Sequence, residues 1–223
     1  MSGGLLVILP TRHRPDSARR FTEAFRSTTG LLSTGLVLVL DDDDESCAGL
    51  GAGLAVESLT IPRAPLAAKL NHAARIYAPH YAAMLFCGDD NVPRTTGWDM
   101  AMMGALAGGQ GMVYANDLIR NDVPCSVLIT SGIVEALGWF ANPALNHFYI
   151  DNTWADLGAG AGCLTYLPHV IIEHLHPAGG KAPSDALYEE TRARWWDADE
   201  AAYAVWRAGQ MEADVEKVKK AIL

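Results

Sequence analysis

At 223 residues, half of them hydrophobic and 19% charged, the chain is long enough to close one sizeable core and falls outside the disordered, collagenous and fibrous classes. Seventeen Lys and Arg against 26 Asp and Glu leave a formal charge of -9, which argues against a broad electropositive surface gripping duplex nucleic acid unless a local basic patch or a metal ion helps. No apolar run approaches the roughly 20 residues of a membrane span, and Met1 to Pro10 has no charged leader with a cleavage site, so the chain reads as cytoplasmic.

Leu5-Leu6-Val7-Ile8-Leu9 is a continuous aliphatic run of the kind covered on both faces of a parallel sheet. Pro15-Asp16-Ser17 then supplies helix-start chemistry, and Phe21, Ala24 and Phe25 give an apolar stripe that runs out at Gly30. Leu36 to Leu40 repeats the buried-strand pattern and breaks into Asp41-Asp42-Asp43-Asp44, followed by Gly49, Gly51 and Gly53. A third strand is expected in Val56 to Ile61, a helix over Ala67 to Tyr77, and a fourth strand in Met84 to Cys87 that stops at Gly88-Asp89-Asp90. Farther on, Met112 to Tyr114 and Val127 to Ile129 read as strands, Gly132 to Leu137 as a short helix and Val170 to Ile172 as a last strand. A helical tail begins near Ser184 and ends in the amphipathic stretch Met211 to Leu223.

Strands alternating with helices predict an α/β sandwich with a mostly parallel central sheet and helices on both faces, with ligands collecting beyond the carboxyl ends of the strands. Both acidic clusters sit at such ends. Adjacent carboxylates leaving a buried strand, Asp89 and Asp90, suit Mg²⁺ or Mn²⁺ held together with a phosphate, or else form a solvated turn. Asp41, nearest its strand, is placed to bond a base or ribose edge, whereas Asp42, Asp43 and Asp44 are expected to face solvent. Thr11-Arg12-His13-Arg14 follows the first strand, where guanidinium forks and backbone N–H groups meet phosphate.

His174 and His176 are two residues apart, so a strand would point both rings to one face and within reach of a metal; the Gly179-Gly180-Lys181 loop beside them can wrap a phosphate. Asp151, in Tyr149-Ile150-Asp151-Asn152-Thr153-Trp154, is either a general base for an acceptor hydroxyl or the N-cap of a helix over Asn152 to Leu157. Cys47, Cys87, Cys125 and Cys163 lack a CxxC pair or a flanking His, which predicts buried free thiols and neither a zinc cage nor a disulfide framework.

The order of these pieces resembles the GT-A-fold, family-2-like glycosyltransferases over roughly residues 5 to 190. The likeness is carried by Pro10-Thr11-Arg12, Asp41-Asp42, Leu66-Ala67-Ala68-Lys69-Leu70-Asn71, Asp89-Asp90 with Pro93 and Gly97-Trp98, and a late His. It looks closest to a phage-encoded branch, through Arg94-Thr95-Thr96, Tyr114-Ala115-Asn116-Asp117 and Glu173-His174-Leu175-His176-Pro177 with Gly180-Lys181. The resemblance implies a GT-A domain over 1–190 with a helical tail over 191–223 packed on or extending from the same domain, and a nucleotide-sugar donor, usually UDP-linked, whose diphosphate is bridged by a divalent metal, Mn²⁺ or Mg²⁺. Counting back from Pro93 puts Gly88 at the first position of the family's Asp-x-Asp motif and Asp90 at its metal-binding third position. By the same matching Thr11, Arg12, Arg14 and Asp41 hold the nucleotide, Lys69, Asn71, Asp89 and Lys181 lie beside it, and His174 and His176 join Asp90 at the metal. Asp151 takes the place of the catalytic base, although Ile150-Asp151-Asn152 stands where the family has a Glu-Asp pair. The implied reaction is an inverting sugar transfer to a hydroxyl acceptor, for which a hydroxymethylated pyrimidine in phage DNA is one candidate. The alternatives are a nucleotidyltransferase built on the same acidic site and a degenerate GT-A domain that binds nucleotide or glycan without turnover.

Overall fold

Every residue of the first strand, β1 (Leu5–Thr11), is buried. The computed structural model, which describes residues 3–223, shows why: the strand lies inside a sheet with both faces covered. Leu6 and Ile8 join one core and Leu5, Val7 and Leu9 the other, the alternation of a pleated strand. In chain order follow α1 (Pro15–Thr28), β2 (Thr34–Asp41), α2 (Leu50–Leu54), β3 (Glu57–Ile61), α3 (Leu66–Tyr77), β4 (Ala83–Phe86), β5 (Asn91–Pro93) and α4 (Trp98–Ala105). The second half holds β6 (Met112–Asn116), β7 (Val127–Thr130), α5 (Ser131–Leu137), α6 (Ile150–Ala161), β8 (Leu164–His174), α7 (Ala186–Gly209) and α8 (Met211–Ile222).

The eight strands form one sheet in the order β3-β2-β1-β4-β7-β6-β8-β5. From β3 to β4 all pairings are parallel. The other half is mixed, with β7 antiparallel to both neighbours, β8 parallel to β6, and β5 antiparallel to β8. The short β5 and the helix α4 that follows it are elements the sequence pattern did not announce. Residues of α1 and α4, among them Phe21, Phe25, Trp98 and Met102, pack on one face, and residues of α3, α5, α6 and α8 on the other.

The C-terminal helices are part of this core. Trp206 of α7 and Val215 and Val218 of α8 are buried in it, with the Trp206 indole N–H donating to the buried Asp214 at 3.0 Å. Residue 190 falls inside α7, near its N-terminal end. Asp199, fully buried in the same helix, accepts the backbone N–H groups of Asn146, His147 and Phe148 at 2.8 to 2.9 Å, and so fixes the segment leading into α6. No helix among the described residues is long and apolar enough to cross a membrane.

Candidate active site

A cleft of about 710 Å³ opens where β1, β2 and β4 end, walled by the start of α6 and by α7. Ten of the residues singled out from the sequence line it: Thr11, Arg12, Arg14, Asp41, Lys69, Asp89, Asp90, Asp151, His174 and His176. Asn71 and Lys181 do not. Asn71 spends its amide on the backbone of Phe140 and Ala141, accepting two N–H groups and donating to one carbonyl, so it shapes a turn and not the cleft. Lys181 pairs with Glu173 at 3.0 Å, which also binds Arg94 at 2.8 Å.

At the end of β2 the Asp41 carboxylate is fully buried and receives Lys69 Nζ at 2.7 Å and an Arg12 guanidinium nitrogen at 3.1 Å, both on Oδ2. Its Oδ1 is buried without a hydrogen-bond partner. Arg12 also grips Asp43 at its exposed side chain. The expectation that Asp42 to Asp44 all face solvent fails at Asp44, which is buried and accepts the backbone N–H of His13 at 2.7 Å and the hydroxyl of Ser46 at 2.6 Å. Those donors turn the acidic run back onto the loop after β1.

The acidic pair sits in a tight loop between β4 and β5. Asn91 closes it, its side-chain oxygen accepting the Gly88 N–H at 2.7 Å and the Ser126 hydroxyl at 3.0 Å. The two carboxylates then go separate ways. Asp89 turns toward the loop after β1, accepting the Thr11 hydroxyl at 2.6 Å and facing Arg14 at 3.4 Å. Arg14 in turn makes a two-pronged pair with Asp185, the N-cap of α7, at 2.8 Å on both prongs. Burial and the neighbouring charge of Asp90 push the Asp89 carboxyl up to about 6. Asp90 goes the other way: burial works against its charge, yet the His174 ring holds it below the ordinary carboxylate range.

His174 ends β8 with Nε2 3.3 Å from Asp90 Oδ2. Two backbone bonds fix it there, its own N–H to the Asp117 carbonyl at 3.1 Å and the Leu175 N–H to the Asp90 carbonyl at 2.8 Å. His176 lies past the strand end, its ring tilted against that of His174 with centroids 4.7 Å apart and edge-on to Tyr188 at 4.9 Å. The Asp90 carboxylate and the His174 imidazole are donors of the kind a divalent ion takes, while the compact three-donor group among the described residues is Asp117, Cys125 and His174.

Asp151 lines the same cleft, in the first turn of α6. The N-cap of that helix is Tyr149, in the left-handed region at φ 62° and without a side-chain cap bond; Asp151 follows in the first turn, where its Oδ1 accepts the N–H of Asn152 at 2.9 Å. Burial raises the Asp151 carboxyl above its ordinary range.

Sequence reading gave no site role to Asp117, which entered only as the end of Tyr114-Ala115-Asn116-Asp117, or to Cys125, one of four thiols expected to be buried although it and Cys163 are only part-buried. The strand-end argument that singled out Asp41 and Asp89 applies equally to Asp117, the residue after β6, while Cys125 gives no sign in one dimension. It comes to His174 only because β6 and β8 are neighbours. Tyr188, Trp195 and Trp196 of α7 also line the cleft unannounced. Trp196 packs edge-on to Phe148 at 5.0 Å and tilted against Tyr149 at 5.6 Å, next to the segment that Asp199 fixes.

No protein-family model and no curated protein matches the sequence, but the fold has clear counterparts among solved structures. A mannosyltransferase from Pyrobaculum calidifontis, PcManGT, solved in complex with GDP-Man and Mn²⁺, is similar with a TM-score of 0.68 at 13% identity, over 99% of this chain and 69% of its own. S. aureus TarS 1-349 is similar with a TM-score of 0.62 at 10% identity, over 98% and 70%. The same fragment in complex with UDP gives 0.61 at 10%, over 97% and 69%. At these identities the likeness is one of fold, and that fold is the mixed α/β arrangement of the GT-A glycosyltransferases.

Proposed function

We propose that this chain is a metal-dependent, inverting glycosyltransferase that moves a sugar from a nucleotide-sugar, of the UDP-linked kind, to a hydroxyl acceptor. The observation that carries the reading is the gathering, in one cleft of a GT-A fold, of the Asp90–His174 pair at 3.3 Å and the Asp151 carboxylate. The solved neighbours, one with GDP-Man and Mn²⁺ and one with UDP, support it.

In this reading the nucleoside lies against Asp41, whose unpartnered Oδ1 accepts an N–H or O–H of the ligand, as a buried carboxylate oxygen needs. Arg12 and Lys69, both on Oδ2, orient the Asp41 carboxylate. Asp90, His174 and His176 would hold the divalent ion, which when bound neutralises charge on the departing diphosphate. Arg14, already turned toward Asp89, adds a guanidinium on the same side. Asp151 accepts the proton of the acceptor hydroxyl while the oxygen bonds to the anomeric carbon and the carbon–oxygen bond to the diphosphate breaks. The raised affinity of Asp151 for a proton, which burial causes, suits that task. Because attack and departure take opposite faces, the anomeric configuration inverts without a covalent enzyme intermediate.

The test is a panel of UDP- and GDP-sugars incubated with Mn²⁺ and hydroxyl acceptors, hydroxymethylated DNA among them, read by mass spectrometry and by the anomeric signal of the product. Nucleoside diphosphate release with an inverted sugar on the acceptor is expected. Pyrophosphate release would instead mark a nucleotidyltransferase, and tight binding with no turnover across the panel a recognition module.

A further inference from the structure

His174 presents a different carboxylate to each of its ring nitrogens. Nε2 faces Asp90, and Nδ1 lies 3.9 Å from Oδ2 of Asp117. On the Asp117 side three unlike donors meet: Asp117, Cys125 and His174 each bring one ligand atom, and these atoms all lie within 4.8 Å of one another. Asp117 is preset for a ligand. Its Oδ1 accepts the backbone N–H groups of Ile119 and Arg120, both at 2.8 Å, which fixes the carboxylate plane. Its Oδ2 is left buried with no hydrogen-bond partner, a state whose desolvation cost a bound cation relieves. The Asp117 carbonyl accepts the His174 N–H, so the two donors are tied through their backbones. Cys125 is part-buried and lines the cleft, leaving a route to its thiol.

We propose that Asp117, Cys125 and His174 form a second cation site, one that takes a thiophilic divalent ion of the zinc class. Oxygen, nitrogen and sulfur together suit Zn²⁺ or Co²⁺, whereas Mg²⁺ and Mn²⁺ favour oxygen donors and rarely take a thiolate. Three protein ligands leave a tetrahedral ion one open position. Binding releases the Cys125 proton and needs a lone pair on His174 Nδ1, so the site tightens as pH rises. Once Nδ1 is committed, neutral His174 carries its proton on Nε2 and donates it to Asp90 instead of offering a second lone pair. The thiophilic ion therefore competes with any ion held by Asp90 for the same imidazole, and Zn²⁺ should inhibit a Mn²⁺-supported reaction. The site itself stands on the donor geometry and not on the sugar-transfer reading.

Co²⁺ titration of the full chain without nucleotide tests it, because a cobalt–thiolate bond gives a charge-transfer band in the near ultraviolet. One equivalent of Co²⁺ is expected to raise the band and Zn²⁺ to abolish it. The band should be lost in Cys125→Ser, require at least about tenfold more Co²⁺ in Asp117→Asn, and persist in Asp90→Ala. In the unaltered protein Zn²⁺ should shield Cys125 from alkylation, read by mass spectrometry of its peptide, a measurement that needs no variant to fold. Absence of the band, its survival in Cys125→Ser, unchanged affinity in Asp117→Asn, its loss in Asp90→Ala, or alkylation of Cys125 indifferent to Zn²⁺ would overturn the site.

Discussion

Asp90 Oδ2 and His174 Nε2 meet at 3.3 Å although 84 positions separate them in the chain. The antiparallel register of β5 on β8, which sets Asn91 opposite His174, brings them together. Asp90→Ala should therefore abolish Mn²⁺-dependent binding of UDP while the melting temperature stays close to that of the unaltered protein, because a carboxylate at a strand end adds little to the core. His174→Ala should weaken the same binding. Calorimetry with and without Mn²⁺ makes the comparison, and an Asp90→Ala protein that binds UDP with unchanged Mn²⁺ dependence would remove Asp90 from the metal.

Gly88, standing where the family motif has its first Asp, has a physical reason to be glycine. A Cβ built on it would come within 2.6 Å of Asp90 Oδ1. The missing side chain gives Asp90 its place next to His174, while the adjacent Asp89 turns to Thr11 and Arg14. Gly88→Ala is expected to push the Asp90 carboxylate aside and weaken Mn²⁺-dependent UDP binding by at least about tenfold, the scale seen when support to a metal ligand is lost. UDP binding without metal should hardly change. Equal metal-dependent affinity in the variant would show that the carboxylate swings clear at no cost.

Strands β1, β2 and β4 were legible because each is built on a continuous apolar run, the pattern that burial on both faces imposes, whereas β3 is a largely exposed Glu-Ser-Leu-Thr-Ile. The same logic marked Asp41, Asp89 and Asp90, since a charge directly after such a run has to leave the core where the cleft forms. It could not mark β5, whose three residues Asn91, Val92 and Pro93 carry no periodicity and take their strand form from pairing with β8. Asn71, set beside the nucleotide by the resemblance, has its amide turned to the Phe140–Ala141 backbone, a pairing that only the fold brings about. Asp44 misled because four consecutive acids read as solvated, while its burial depends on the His13 N–H from another loop.

Asp44 also gives a clean dependence of stability on pH. Burial opposes its charge, but the Ser46 hydroxyl and the His13 N–H hold the carboxyl well below the usual range. A depressed folded value means that the stabilisation is present above the unfolded carboxyl pKa of about 3.9 and is lost as pH falls through the folded value. Asp44→Asn should cost about 1 to 3 kcal/mol near neutrality, as expected for loss of buried hydrogen bonds to a charged acceptor. Urea midpoints for the two proteins should stay a constant distance apart from about pH 7 to about pH 5 and converge below about pH 4. A gap that holds unchanged into strong acid would mean that the charge of Asp44 contributes nothing.

Asp151 and Asp156 lie on the same helix and are the two carboxylates that compete for the role of base. Their surroundings separate them. Asp156 is committed to α7, accepting the Tyr203 hydroxyl at 2.7 Å and pairing with Arg207 at 2.9 Å. Asp151 lines the cleft, accepts the N–H of the next residue, Asn152, at 2.9 Å, and has its proton affinity raised by burial. Asp151→Asn should keep the melting temperature and the UDP affinity and lower the transfer rate by about 10² to 10⁴-fold, the usual scale for loss of a general base. Asp156→Asn should do the reverse, lowering the melting temperature while each folded molecule turns over normally. The rate of the unaltered protein should also rise with pH through a value above the ordinary carboxylate range, since Asp151 has to lose its proton before it can accept another. Near-normal transfer by Asp151→Asn would move the base to another residue of the cleft, and a loss of stability in place of rate would make Asp151 a structural element of α6.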